Sequence, residues 1–190
     1  MLPVIRGRVT APTPEPDLLA ACARGDRAAF EALVSGCLPA GRALAVRLLG
    51  SLEDAEDALQ EALLKTWRGI GGVRAGAPFR AFFLRVVFNQ CCDHRRRRTV
   101  RRTHESAQRP ASETPQTERS AQRETLLKVA EALAELPERQ QAALHLRVFE
   151  ELDYRTIASV LGITERSARV YVVRARSGLR ERLAAELEGR

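Results

Sequence analysis

LDYRTIASVLGITERSARVYVVRARSGLRERL, residues 152–183, carries apolar side chains at helical spacing on both sides of Gly162. Asp153 can cap a helix through Leu161, Gly162 supplies a tight turn, and Thr164 can cap a second, longer helix. Short helix, turn and longer helix make a helix-turn-helix. Ala168, Val172, Ala175 and Leu179 share one stripe of the second helix and are expected to pack against Ile157, Val160 and Leu161. Arg166, Arg169, Val170, Val173 and Arg174 point the other way. Guanidiniums interleaved with small apolar groups suit the DNA major groove, where arginine pairs with guanine in bidentate fashion and an apolar group meets the thymine methyl. A solvated basic helix closing a bundle has the same spacing, and Arg176, Arg180 and Arg182 fit that plainer description.

The 190 residues of the full chain are 45% hydrophobic and 29% charged, with a formal net charge of +7 and a pI near 10. That balance favours a polyanionic partner, nucleic acid first and an anionic membrane surface second. No run reaches the ~20 apolar residues of a membrane helix. The opening MLPVIRGRVTAPTPEPD breaks into Arg and Pro before a signal-peptide core forms, so a cytoplasmic protein without membrane insertion is expected. Periodicity is helical nearly throughout, which predicts an all-α chain without internal repeats. After a tail at 1–16, Gly25–Asp26, Pro39, Gly50–Ser51 and Pro78 punctuate a helical lobe over 17–98, with a Gly-rich loop at 69–78. Residues 99–123 lose almost all apolar character and read as a flexible linker, with a coil span of about 25 to 30 Å and a stretched limit of roughly 85 Å. A second small helical lobe over 124–190 contains the helix-turn-helix.

Within the first lobe, SLEDAEDALQEALLKTW at 51–67 concentrates Glu53, Asp54, Glu56, Asp57 and Glu61 in a basic chain. Ala55, Leu59, Ala62, Leu63 and Thr66 form its inward stripe, leaving Glu53, Asp54, Asp57, Gln60, Glu61 and Leu64 outward as a plausible protein-binding face. First-turn acids also stabilise the helix dipole, which accounts for Glu53, Asp54 and Glu56 but not for Glu61. His94, Arg95, Arg96, Arg97 and Arg98 are either phosphate contacts or a solvated charge run. Phe79, Phe82, Phe83 and Phe88 fit a core better than a stacking platform.

No catalytic constellation is readable around His94, His104 or His145, and GIGG at 69–72 is too short for a nucleotide loop, so neither enzyme activity nor a cofactor is expected. Cys22, Cys37, Cys91 and Cys92 lack disulfide-framework spacing and are expected to be reduced core residues. Cys91 and His94 could share a metal only with further ligands that no C-x-x-C pair supplies, so no metal is expected.

Taken in order, LLAACARGDRAAFEALV, RLLGSLEDAEDALQEALLKTW, PFRAFFLRVVFNQCCDHRRRR and LAELPERQQAALHLRVFEELDYRTIASVLGITERSARVYVVRARSGLR resemble the extracytoplasmic-function sigma factors of bacterial RNA polymerase across nearly the whole chain. The resemblance implies binding to core polymerase, through the clamp helices of its largest subunit and its flap, together with promoter DNA and a possible anti-sigma partner. It places core binding at Asp57, Gln60 and Glu61, minus-ten recognition and melting at Arg80, Arg85 and Asn89, and minus-thirty-five binding at Arg166, Ser167, Arg169, Val170, Val173 and Arg174. Two departures stand out: Phe82 occupies a position often held by Trp, and SGCLPAGRALAVR lacks the family's aromatic and basic residues. SARVY at 167–171 replaces the frequent TVKSR, which implies an unusual minus-thirty-five preference. The competing reading is a stand-alone helix-turn-helix regulator, with a protein-only adaptor as a third class.

Overall fold

Asp26, Ser51, Asp153 and Thr164 each accept a hydrogen bond from the backbone N–H three residues ahead, and these four bonds mark where helices begin. In the computed structural model, which describes residues 15–73, 78–104 and 121–188, all regular structure is helical. The N-terminal lobe contains α1 (Glu15–Ala23), α2 (Arg27–Ser35), α3 (Leu38–Leu49), α4 (Leu52–Gly69), a 3-10 turn at Ile70–Gly72, and α5 (Phe79–His104). The C-terminal lobe contains α6 (Ala121–Ala134), α7 (Glu138–Val148), α8 (Tyr154–Leu161) and α9 (Glu165–Glu188).

Helix α5 organises the first lobe. Phe83, Leu84, Val87 and Cys91 are fully buried on it, packed against α3 and α4. Phe83 lies so close to Gly41 of α3 that a β-carbon there would come within 2.6 Å of the ring. The start of α5 is held from a distance, because the Glu15 carboxylate of α1 accepts the Phe79 N–H at 2.8 Å. Of the expected inward residues in α4, Ala55, Leu59, Ala62 and Thr66 are buried and Leu63 is half-buried, with Ala58 buried beside them.

The second lobe closes as its pattern predicts. Ala168, Val172 and Ala175 of α9 are buried with Ile157, Val160 and Leu161 of α8, and Leu179 packs at the margin. Gly162 adopts φ 63°, a left-handed conformation that side-chain-bearing residues rarely tolerate, and the N–H of Ile163 then reaches back to the Ala158 carbonyl at 3.0 Å. Gln141, buried in α7, donates to the carbonyls of Ala134 and Leu136, tying the end of α6 to α7 and satisfying a polar group inside the lobe.

The lobes pack against one another. Helix α3 meets α7 and α5 meets α8, and the buried apolar residues of both lobes join in one cluster. Arg95 spans the junction, bonding Glu138 at 2.9 Å and the Leu48 carbonyl at 3.3 Å, while Arg80 pairs with Glu150. Helix α5 runs on to His104 and α6 starts at Ala121, so helix extends into both ends of the expected linker; residues 105–120, like the tail at 1–14 and the loop tip at 74–77, lie outside the described residues.

All four cysteines are free. Burial pushes the thiol of Cys37 up to about 11 and those of Cys91 and Cys92 up to about 12, so they stay protonated and inert at neutral pH. Among the described residues no group of three ligating side chains could hold a metal ion, and no single helix is long and apolar enough to cross a membrane.

Candidate functional site

The acids of α4 divide into two sets. Glu53, Asp57, Gln60, Glu61 and Leu64 are exposed, with Leu64 at 57%, so the outward face expected from the spacing is present except for Asp54, which is half-buried against α5. Other acids serve the fold. Asp54 faces His94 at 3.7 Å and Arg98 at 3.0 Å on α5, and Glu56 pairs with Arg42 of α3 at 2.5 Å. Thus Asp54 and Glu56 bridge helices, a larger role than first-turn dipole stabilisation. Glu61 belongs to both sets: it accepts from Gln90 at 2.5 Å and faces Arg97 at 3.5 Å, while Lys65 bonds Gln90 from below. The basic run of α5 is therefore largely committed within the protein, with His94, Arg97 and Arg98 on α4 and Arg95 on the second lobe. Glu53, Asp57 and Gln60, beside Leu64, make up the part of the acidic face that points only outward.

On α5, Arg85 and Asn89 are exposed one turn apart, whereas Arg80 sits roughly 140° around the helix from Arg85 by helical geometry and turns to Glu150. Asn89 opens onto a cleft of about 490 Å³ walled by Lys65, Asp93 and Arg96 and, across the lobe junction, by Arg139 and Leu161. Three sides of that cleft carry cations. The phenylalanines go to the core: Phe79, Phe83 and Phe88 are buried and Phe82 is half-buried, with Phe79 stacked near Phe83 at 6.4 Å between centroids.

On α9, Arg166, Arg169, Val170, Val173 and Arg174 form an exposed stripe, with Val173 at 61%. Ser167 is drawn into the helix start, its N–H on the Thr164 oxygen at 3.1 Å and the two hydroxyls 2.8 Å apart. Arg169 is held rather than loose. Its guanidinium bonds Glu165 at 2.7 Å and lies 4.5 Å from the centroid of the Tyr154 ring. Sequence reasoning passed over Tyr154, Glu165 and Gln90, since a residue that supports another across an element boundary leaves no periodic signal.

Residues 33–101 match the family model of sigma-70 region 2, and residues 126–179 match that of sigma-70, region 4. Over 164 residues the chain is 35% identical to the ECF RNA polymerase sigma factor SigM of Mycobacterium tuberculosis, covering 86% of this chain and 81% of that protein. The chain belongs to the ECF sigma factors. The RNA polymerase sigma-H factor of Pseudomonas aeruginosa is 30% identical to this sigma factor over 167 residues, covering 82% of this chain and 86% of that protein. Its fold is shared with CnrH, solved in complex with the cytosolic domain of CnrY, at a TM-score of 0.66 and 25% identity over 90% of this chain and 97% of that one. RpoE of Bartonella quintana, solved in complex with the anti-sigma factor NepR, gives the same TM-score and identity over 82% and 96% of the two chains. Region 2 therefore falls in the N-terminal lobe and region 4 in the C-terminal lobe, and the stand-alone regulator is not favoured. Like its family, the protein is a transcription initiation factor of RNA polymerase.

Proposed function

We propose that this sigma factor, acting in the cytoplasm, docks on core RNA polymerase through Asp57, Gln60 and Glu61 of α4, with Leu64 as the apolar centre of the contact. Arg85 and Asn89, joined by Arg80, take the minus-ten element and help open it. Bases that leave the stack need hydrogen-bonding pockets while cations hold the phosphates, and the first-lobe side of the cleft beside Asn89, with Lys65 and Arg96 on its walls, offers both. The α9 stripe enters the major groove at the minus-thirty-five element. What carries the reading is the segregation of sign, with exposed acids on α4 and exposed arginines on α9, each matched to a different partner.

An apolar groove of about 620 Å³, lined in the second lobe by Val129, Leu133, Leu144, Phe149 and Leu179 and reached by Arg47 of α3, suits a helix from the polymerase flap, and a comparable helix from an anti-sigma factor would compete for it. Run-off transcription with purified core polymerase tests the whole reading: a promoter-dependent transcript is expected, and none appears if the chain acts only as a regulator or adaptor. For the core-binding face the informative variant is Asp57→Ala with Gln60→Ala, because Glu61→Ala also breaks the link to Gln90 and Arg97. Pull-down of core should weaken at least several-fold while thermal melting is unchanged; unchanged pull-down assigns the contact elsewhere.

A further inference from the structure

Reading a guanine edge requires a guanidinium presented in one plane, yet an arginine on an exposed helix face ordinarily samples many rotamers. Arg169 is restrained on two sides. Glu165, one turn earlier on α9, takes one terminal N–H at 2.7 Å, and Tyr154 lies under the guanidinium at 4.5 Å from ring centroid to carbon. Tyr154 is itself fixed. It is half-buried at the first position of α8, immediately after Asp153, whose carboxylate accepts the Thr156 N–H at 2.7 Å. A second guanidinium, that of Arg147, lies 5.1 Å from the same ring centroid and is anchored by a 2.9 Å bond to the Leu152 carbonyl. The end of α7, the start of α8 and the second turn of α9 thus converge on one ring.

We infer that Tyr154 is a positioning residue for minus-thirty-five recognition, with Glu165 as its assistant: together they hold the Arg169 guanidinium flat, leaving its remaining N–H groups for the base. The inference rests on α9 being the base-reading helix. It locates specificity partly in α8, the helix that does not enter the groove. Because SARVY offers fewer polar groups than the family's usual segment, Arg169 carries a larger share of the readout here, and its orientation matters correspondingly more.

The test uses holoenzyme assembled from core polymerase and the full chain, selecting from duplexes with a randomised minus-thirty-five segment placed in a promoter found by run-off sequencing. Arg169→Ala should lose preference at one base position by about tenfold. Tyr154→Leu should weaken preference at that same position by about threefold and leave the others alone, whereas Tyr154→Phe, which keeps the ring face, should match the wild type. If Arg169→Ala weakens all positions equally, the base-reading assignment of Arg169 fails, and this inference with it. If Arg169→Ala relaxes one position but Tyr154→Leu leaves that preference intact or lowers all positions together, the assignment stands and the positioning role of Tyr154 is overturned. Should Tyr154→Leu melt below the assay temperature, Glu165→Gln, which leaves the ring in place, must relax the same single position; a wild-type profile for that variant rejects the inference.

Discussion

His145 occupies a helical position that the core would ordinarily give to an aliphatic residue. It is buried on α7, stacks on Phe149 with 5.2 Å between ring centroids, and has neither ring nitrogen in a hydrogen bond. Burial lowers its pKa below the ordinary 6.5; the Glu150 carboxylate at 3.6 Å works against that shift and the Arg47 guanidinium of α3 adds to it. The folded protein therefore keeps the imidazole neutral in a pH range where the unfolded chain has taken up a proton. Stability from this site is fully present above the unfolded pKa of 6.5 and declines as pH falls below it, because the unfolded state binds more protons there. His145→Leu, of similar size and apolar, should flatten that part of the pH dependence. Urea unfolding at pH 7.5 and pH 5.5 measures it: the drop in free energy between the two should be smaller for the variant than for the wild type, and equal drops would mean that His145 is not the group responsible.

Helix α5 can present Arg85 and Asn89 outward only because α3 lets it come close, and the approach is made at Gly41. With Phe83 0% exposed and 2.6 Å from where a β-carbon would sit, Gly41→Ala has no room to relax. Overpacking costs about 1 to 3 kcal/mol, set against about 1 kcal/mol gained from alanine's better helix propensity. Net destabilisation should register as a lower melting temperature, and a variant as stable as the wild type would show that the ring can swing aside. Elements of this kind mark the limit of what was legible in the sequence. The α8–turn–α9 unit could be read because its determinants, Asp153, Gly162, Thr164 and the Ala168–Val172–Ala175 stripe, are local and periodic. The outward placement of Asp57 and Gln60 followed from the same periodicity. The destinations of His94, Arg95, Arg97 and Arg98 could not be read, since their partners Asp54, Glu61 and Glu138 lie on other helices, and a basic run looks the same whether it meets phosphate, solvent or a neighbouring carboxylate. Nor does Gly41 announce itself, because the need for a missing side chain arises only once two helices cross.

Across the whole molecule, the packing of one lobe on the other bears directly on DNA binding. Arg80, a candidate phosphate contact, is paired with Glu150 of the second lobe, and Asn89 looks into a cleft whose far wall is Arg139 and Leu161 of that lobe. A strand laid along α5 would have to displace both. Two ion pairs, Arg80–Glu150 and Arg95–Glu138, together with the continuous apolar cluster, oppose the separation. Arg80 is half-exposed and regains solvent when released, so loss of Glu150's charge frees it without leaving a buried cation. The partly exposed Arg95–Glu138 pair contributes about 0 to 1 kcal/mol, and Glu150, 10% exposed, adds to it, so Glu138→Gln with Glu150→Gln should move the open-to-closed ratio several-fold, short of full opening because the apolar contact remains. Small-angle scattering should then give a larger radius of gyration, and single-stranded promoter DNA should bind more tightly. Arg80→Ala with Glu138→Gln separates the two consequences: it breaks the same two lobe contacts and should expand the chain likewise, but without the gain in DNA affinity, since the cation that would meet the phosphate is gone. If the double glutamine variant expands with no gain in DNA binding, the second lobe does not mask α5; if it neither expands nor binds better, the apolar cluster alone holds the lobes together.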